Sequence, residues 1–269
     1  MSFYDKQVEG LTLHTSGLLE KAGAVHAFTT RPGGVSRGIY ESLNLAKGRG
    51  DDMENVRENY RRGCGALGVD MGKLVFTNQV HGDLVRRVTP EDAGKGLDRP
   101  VDYEVDGLMT DVPGLTLAAF TADCIPILLF DPVKRVVAAV HAGWRGTALG
   151  IAARGVEGMV SQYGCRGEDI LAAIGPGISR CCFETDEDVP NAMTAALGAA
   201  ALPFIQDRGD GKFAVDLKGI NALWLGQAGV LEEHIDISPD CTMCQHEKYW
   251  SHRYTKGERG SQAALIALL

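Results

Sequence analysis

Short apolar runs alternate along this chain with glycine-bearing polar segments, and the length of each run indicates which element it forms. LVF before TNQVHG, LTLAAF before TADC and RVVAAV before HAGWRGT are short, continuous and bounded by turn residues, so they read as buried strands. PILLFDPVKRVVAAV reads as two strands joined at Asp131, Pro132 and Val133, a hairpin. AVHAFTTR is a further strand, followed by the turn RPGGVSRG and the loop-like YESLNLAKG. ILAAIGPGI and KFAVDL add two more, while the final QAALIALL suits strand or helix equally.

Helical periodicity runs from Asp51 to Leu67, where Asp51 and Asp52 suit the first turn and Gly68 the C-terminal cap. It returns from Thr147 to Tyr163, closed by Gly164, with Leu149, Ala152, Ala153, Val156 and Val160 as the expected apolar stripe. Two more helices are expected at about Glu187 to Leu197 and Leu217 to Ala228. Hairpin strands mixed with helices favour an α+β layered architecture over a purely parallel sheet. No linker rich in proline or serine and no internal repeat interrupts the pattern, so residues 1–269 are expected to form a single domain.

Composition narrows the function. At 269 residues and 45% hydrophobic the chain can bury a substantial core. Its net charge of −8, from 27 basic and 35 acidic residues without a Lys/Arg run, argues against a nucleic-acid footprint. No apolar stretch reaches the ~18 to 20 residues of a membrane helix, and MSFYDKQVEG has neither the basic nor the apolar region of a signal peptide. A cytoplasmic protein with no membrane partner is therefore expected. Seven scattered cysteines, an odd number, point to reduced thiols, and Cys64 and Cys165 read as structural.

The chemistry concentrates at His81, Cys124 and His141, each close to the end of an expected strand. Residues beyond neighbouring strand ends can converge, and two imidazoles with one thiolate suit zinc with a fourth position left open. The bland alternative is a small buried cysteine and two hydrogen-bonded histidines, because no fixed motif places a ligand trio at these separations. Asp123 beside Cys124 reads as a base, an orienter or a simple cap. Arg31, Arg145 and Arg253 sit in turn-rich contexts where a guanidinium could receive phosphate or form an ordinary surface ion pair. Trp144 could stack on a ring or simply pack.

CTMCQH, from Cys241 to His246, has the spacing of half a zinc ribbon but no evident second half; it could be structural, a second metal site or a redox pair, and Cys181-Cys182 is a weaker signal still. GPGISR begins like a dinucleotide fingerprint but lacks its third glycine, so it reads as a tight turn. No phosphate-binding P-loop and no His-Glu-x-x-His metalloprotease motif is present.

Taken together, FTTRPGGVS, SLNLAKG, NQVHGDLV, DGLMTD, TADCIPILLFDP, AVHAGWRGT, AAIGPGI and YWSHR resemble, in order and over nearly the whole chain, the motif series of the YfiH family, also called the laccase-domain or polyphenol oxidase family. The resemblance implies an α/β/β/α layered sandwich of mixed β-sheets. It also implies zinc ligation by the histidine of QVHG, the cysteine of ADC and the histidine of HAGWRG, which fall on His81, Cys124 and His141. The implied activity is purine nucleoside phosphorylase, acting on adenosine, inosine, guanosine or methylthioadenosine with phosphate, some members adding adenosine deaminase activity. Asn44 of SLNLAKG and Gln79 of NQVHGDLV join Arg31, Arg145 and Arg253 as candidate substrate contacts, with Cys124, His141 and Asp123 as candidate catalytic residues. One departure is Arg259-Gly260-Ser261, where many relatives have Gly-Arg, so the resemblance gives no basis for an anion contact by Arg259.

Three competing readings stay open at this point. His-Cys-His also suits copper, with Met109 as a weak axial ligand, although no His-x-His pair of the kind multicopper laccases use is present. Cys124 could instead be a metal-free nucleophile activated by His141, as in cysteine hydrolases. A third reading has the metal only stapling the fold.

Overall fold

The apolar runs fold as strands buried on both faces, which requires a packing layer on either side of each sheet. The computed structural model describes residues 3–269. In chain order the first elements are β1 (Phe3–Val8), β2 (Leu11–Ser16), α1 (Gly17–Lys21), β3 (Val25–Thr29), α2 (Met53–Leu67), β4 (Leu74–Phe76), β5 (Val85–Arg87) and β6 (Gly107–Thr110). Then come β7 (Thr116–Thr121), β8 (Ile125–Asp131), β9 (Val136–Ala142), α3 (Trp144–Ala148), α4 (Ile151–Tyr163) and β10 (Leu171–Ile174). The chain closes with β11 (Glu184–Thr185), α5 (Asp188–Leu197), β12 (Ile205–Gly209), β13 (Lys212–Val215), α6 (Leu217–Gln227), β14 (Ile235–Ile237), α7 (His252–Thr255) and β15 (Gln262–Ala267).

One six-stranded sheet has the order β1-β2-β3-β15-β7-β4 and the other β14-β10-β8-β9-β6-β5, with a small sheet β11-β13-β12 beside them. Both large sheets are mixed: β4 with β7, β5 with β6 and β10 with β14 are parallel pairs among antiparallel ones. Alternation along each strand sorts the layers. In β8 and β9, Leu128, Phe130, Val137 and Ala139 meet Phe28, Leu117, Ala119 and Ile266 of the other sheet. The intervening Ile127, Leu129, Ala138 and Val140 pack instead under α4 and α6. On the far side, Ala118, Ala263 and Leu265 pack beneath Val56, Tyr60 and Cys64 of α2. The layering is α/β/β/α, as the resemblance implies.

The α2 ends fall where the pattern puts them: the Asp52 side chain accepts from the Glu54 N–H, and Gly68 closes the helix in the left-handed conformation. The helix expected from Thr147 differs. Gly150, at φ 78°, breaks it into α3 and α4, and this resets the helical face. Leu149 and Val160 are consequently exposed, while Ile151, Ala152, Ala153, Val156 and Met159 form the buried stripe. QAALIALL resolves as β15, a central strand between β3 and β7. Among the described residues no helix is long and apolar enough to cross a membrane.

GPGISR serves close packing. A Cβ on Gly175 would lie 2.1 Å from the Phe28 ring, and one on Gly177 would lie 2.5 Å from Ile125 and 3.0 Å from the Asp123 carbonyl. Gly175→Ala is therefore expected to lower unfolding stability by roughly 1–3 kcal/mol through overpacking between the sheets. Chemical denaturation checks this, and an unchanged midpoint would contradict it.

Candidate functional site

The candidate ligands meet where the chain passes from one sheet to the other. His81 lies in the loop after β4, Cys124 in the bend between β7 and β8, and His141 within β9. Their ligand atoms all lie within 4.8 Å of one another, with His81 Nε2 4.0 Å from Cys124 Sγ. The two imidazole rings stand edge to face, centroids 4.9 Å apart.

One residue organises this cluster, and the sequence reading assigned it no role. Asp106, fully buried, accepts from the backbone N–H groups of Val80 (3.1 Å), His81 (3.0 Å) and Gly82 (2.8 Å). Three successive N–H groups converging on one carboxylate form an anion nest, and they hold His81 in a left-handed backbone conformation, φ 62°. The same carboxylate lies 2.8 Å from His141 Nδ1. A carboxylate acceptor places the proton of a neutral imidazole on Nδ1 and leaves the Nε2 lone pair free to ligate a metal. Burial alone would raise the Asp106 pKa, yet the bonds from His141, Gly82 and Val80 bring it below the usual carboxylate range.

Gly143 completes the cradle. A Cβ there would sit 2.7 Å from His81 and 3.4 Å from Cys124 Sγ, so only glycine leaves the imidazole and thiol free to face each other. Burial on its own would raise the Cys124 thiol, but His141 and His81 opposite bring it down to about 6. Burial on its own would lower His141, but the Cys124 thiolate and Asp106 raise it to about 9.

Two cavities open from the cluster, of about 430 Å³ and about 310 Å³. Arg49, His81, Cys124 and Arg259 line both. Arg49 has no signal in the sequence pattern, and Arg259, for which the resemblance gives no anion contact, nonetheless faces the same cleft. Half-buried Arg259 donates from one terminal nitrogen to the Gly260 carbonyl and the Ser261 hydroxyl, but its Nε is buried without a partner. Burial, and then the nearby Arg49 cation, bring its pKa down to about 10, against the opposite pull of Cys124 and Asp123. Two guanidiniums sharing one cleft define a place for an anion. The larger cavity mixes Thr77, Asn78, Gln79 and Ser261 with Phe76, Val101 and Phe120, while the smaller has Trp144, Ile178, Phe183 and Leu217.

The remaining candidates divide. Gln79 lines the larger cavity, but its amide is paired with both the N–H and the carbonyl of Phe120. Arg253 lines the smaller one and donates to the Glu184 carbonyl. Asp123, also in its wall, accepts from Thr242 Oγ1 and the Arg253 N–H, each at 2.6 Å, so both carboxylate oxygens anchor the C-terminal segment. Arg31, Asn44 and Arg145 line neither cavity. Arg31 is held over Trp250 by the Glu41 and His246 carbonyls, and Asn44 is buried between Asp51 and the Ala46 and Ser261 amides. Arg145 is exposed, folded over Trp144. Met109, weighed as an axial copper ligand, packs against Gly158 of α4 and lines neither cavity.

Known proteins match this chain over most of its length. A sequence model of the family described as multi-copper polyphenol oxidoreductase laccase matches residues 25–269. The purine nucleoside phosphorylase YlmD of Geobacillus stearothermophilus is 39% identical, covering 91% of this chain and 90% of that protein. A purine nucleoside phosphorylase of Deinococcus radiodurans is 41% identical, covering 90% and 88%. The crystal structure of G. stearothermophilus YlmD superposes with a TM-score of 0.93 at 36% identity, over 100% of this chain and 99% of that one. That of YfiH from Bacillus licheniformis also reaches 0.93, at 32% identity and 99% of each chain.

The metal-free cluster generates a pH-dependent prediction. A thiol whose pKa lies at about 6 is largely thiolate at neutral pH, so alkylation of Cys124 by iodoacetamide should rise through about 6 and level off by neutrality. Cys64 and Cys165, pushed up to about 12 by burial, should stay unreacted. Peptide mass analysis across pH reads this, and a Cys124 midpoint near the ordinary ~8.5 would contradict it.

Proposed function

Because the chain belongs to the multi-copper polyphenol oxidoreductase laccase family, we propose that it is a zinc-dependent purine nucleoside phosphorylase, the activity its matched relatives are named for. The observation that carries this reading is the pairing of a His81-Cys124-His141 donor set with two arginines at the junction of two cavities. The donors fit a divalent ion: two imidazoles, one thiol already acidified, a carboxylate fixing one tautomer, and a glycine where any side chain would fill the centre. Three protein ligands leave a position for substrate, and zinc there would supply Lewis acidity toward an oxygen held against it. Zinc is preferred to copper because Met109 faces the helices.

In this reading Arg49 and Arg259 hold phosphate, and the purine lies against Trp144 and Phe183 in the more apolar cavity. A phosphate oxygen forms a bond to the anomeric carbon as the carbon–nitrogen bond to the base breaks. The base leaves with the bonding pair, and one proton passes from phosphate to the base. The transition state is a cationic sugar, so its stabilisation depends on bringing the anion close and excluding water. Asp123, bound to Thr242 and the Arg253 amide, positions the cavity wall.

A second reading draws on the arrangement Cys124-His141-Asp106, an acidified thiol, an imidazole and a buried carboxylate, which is that of a cysteine hydrolase. Protection of Cys124 from alkylation by zinc favours the metal reading, and its absence favours the nucleophile.

Incubating zinc-loaded protein with adenosine, inosine, guanosine or methylthioadenosine, with and without phosphate, tests the proposal. Free base formed only with phosphate supports it; inosine from adenosine would add deamination, and phenol oxidation dependent on copper would overturn it. Arg259→Gln should raise the KM for phosphate about 10- to 100-fold, the value of one charge-assisted hydrogen bond, while changing the nucleoside KM little. Equal effects on both substrates would contradict the assignment of Arg259 to the anion.

A further inference from the structure

A second cluster of thiols lies outside the cleft. Cys181 and Cys182 follow the turn after β10, and Cys241 and Cys244 lie in the segment after β14, so sequence separates the two pairs widely. A bridge between Gly177 and Cys241, with the Thr242 N–H donating to the Gly177 carbonyl, joins those segments. All four sulfurs then lie within 4.8 Å of one another. The adjacent pair supplies the half that the Cys-x-x-Cys motif lacks.

We infer that Cys181, Cys182, Cys241 and Cys244 form a second metal site, a closed tetrathiolate centre that takes zinc. The sulfur separations, 3.6 Å for Cys181–Cys182, 3.7 Å for Cys181–Cys244 and 3.3 Å for Cys182–Cys244, lie close to the ~3.8 Å edge of a tetrahedron with Zn–S bonds of ~2.3 Å. They are well outside the ~2.05 Å of a disulfide. Four thiolates around a divalent ion carry a net double negative charge, and the surroundings are built for it. The buried Lys218 side chain donates to the Ser238 and Asp240 carbonyls, at 2.9 and 2.7 Å, in the segment that leads into Cys241. The Ser179 N–H donates to Cys241 Sγ at 3.4 Å.

Four protein ligands leave no position for substrate, which makes the centre structural. It pins the turn carrying Ile178 to the segment carrying Thr242, whose hydroxyl holds Asp123 beside Cys124. Cys182 also precedes Phe183, and the Phe183 ring lies under the Arg253 guanidinium in the wall of the smaller cavity. The centre thus braces one side of the cleft from outside it.

The test separates this site from the one in the cleft. A Cys124→Ala variant, reconstituted with zinc under reducing conditions, should retain one zinc per chain, and cobalt in its place should give the intense visible bands of tetrahedral thiolate coordination. In Cys181→Ser/Cys244→Ser that ion should be lost while zinc still shields Cys124 from iodoacetamide. Should the double variant not fold, wild-type protein reads the same point: zinc should block alkylation of all four thiols together. A Cys124→Ala protein without zinc, four thiols alkylated equally with and without zinc, or a disulfide between them under reducing conditions would overturn the inference.

Discussion

The Asp106 carboxylate joins the loop after β4 to the end of β9. Its bonds to three backbone N–H groups and to His141 are charge-assisted, each of the class worth about 1.5–3 kcal/mol, and they lie in a fully desolvated place where an unmet charge would be strongly destabilising. The position of His81 follows from those N–H contacts, and the tautomer of His141 follows from the Nδ1 contact. Without the carboxylate, the left-handed backbone at His81 has no compensation and the His141 ring has no fixed orientation. The Cys124 thiol, lowered to about 6, is in turn a response to the imidazoles so placed.

The two-sheet sandwich makes this arrangement accessible. β4 and β7 belong to one sheet and β8 and β9 to the other, so the bend between β7 and β8 carries Cys124 across the gap between them. His141 shares strand parity with Val137 and Ala139, whose side chains pack between the sheets, and so reaches the same gap at its end. Glycines at 143, 175 and 177 permit the close approach of these segments. The architecture supplies convergence, and the small residues supply room.

Much of this was legible in the sequence, for reasons that can be stated residue by residue. The α2 limits were readable because Asp52 and Gly68 carry capping chemistry of their own, and the β8–β9 hairpin because its apolar runs are long and its turn is marked by Pro132. β1 and β2 were not, since β1 is a largely exposed edge strand without a continuous apolar run. In α4, Ala152, Ala153 and Val156 are buried as the pattern predicts, but the stripe departs at Leu149 and Val160, since Gly150 starts a new helix in a left-handed conformation that composition does not reveal. At the site, the His-Cys-His set was recoverable from residue type and family resemblance. Asp106 was hidden because its partners are mostly backbone amides, which leave no side-chain pattern, although it opens the DGLMTD segment. The pairing of Arg49 with Arg259 was hidden because it arises only when the loop after Ala46 meets the segment before β15. The thiol quartet required the Gly177–Cys241 bridge, which no spacing encodes.

The central claim is that Asp106 sets the geometry of the cluster, and replacing it with its isostere tests that most directly. Asp106→Asn keeps the shape and removes the charge that the N–H nest and His141 share. Titrating zinc against protection of Cys124 from alkylation, in variant and wild type, reads the affinity of this site alone. The account predicts affinity about 10- to 100-fold weaker in the variant, the usual loss when a ligand's supporting carboxylate is removed. Equal affinity in the two proteins would contradict it.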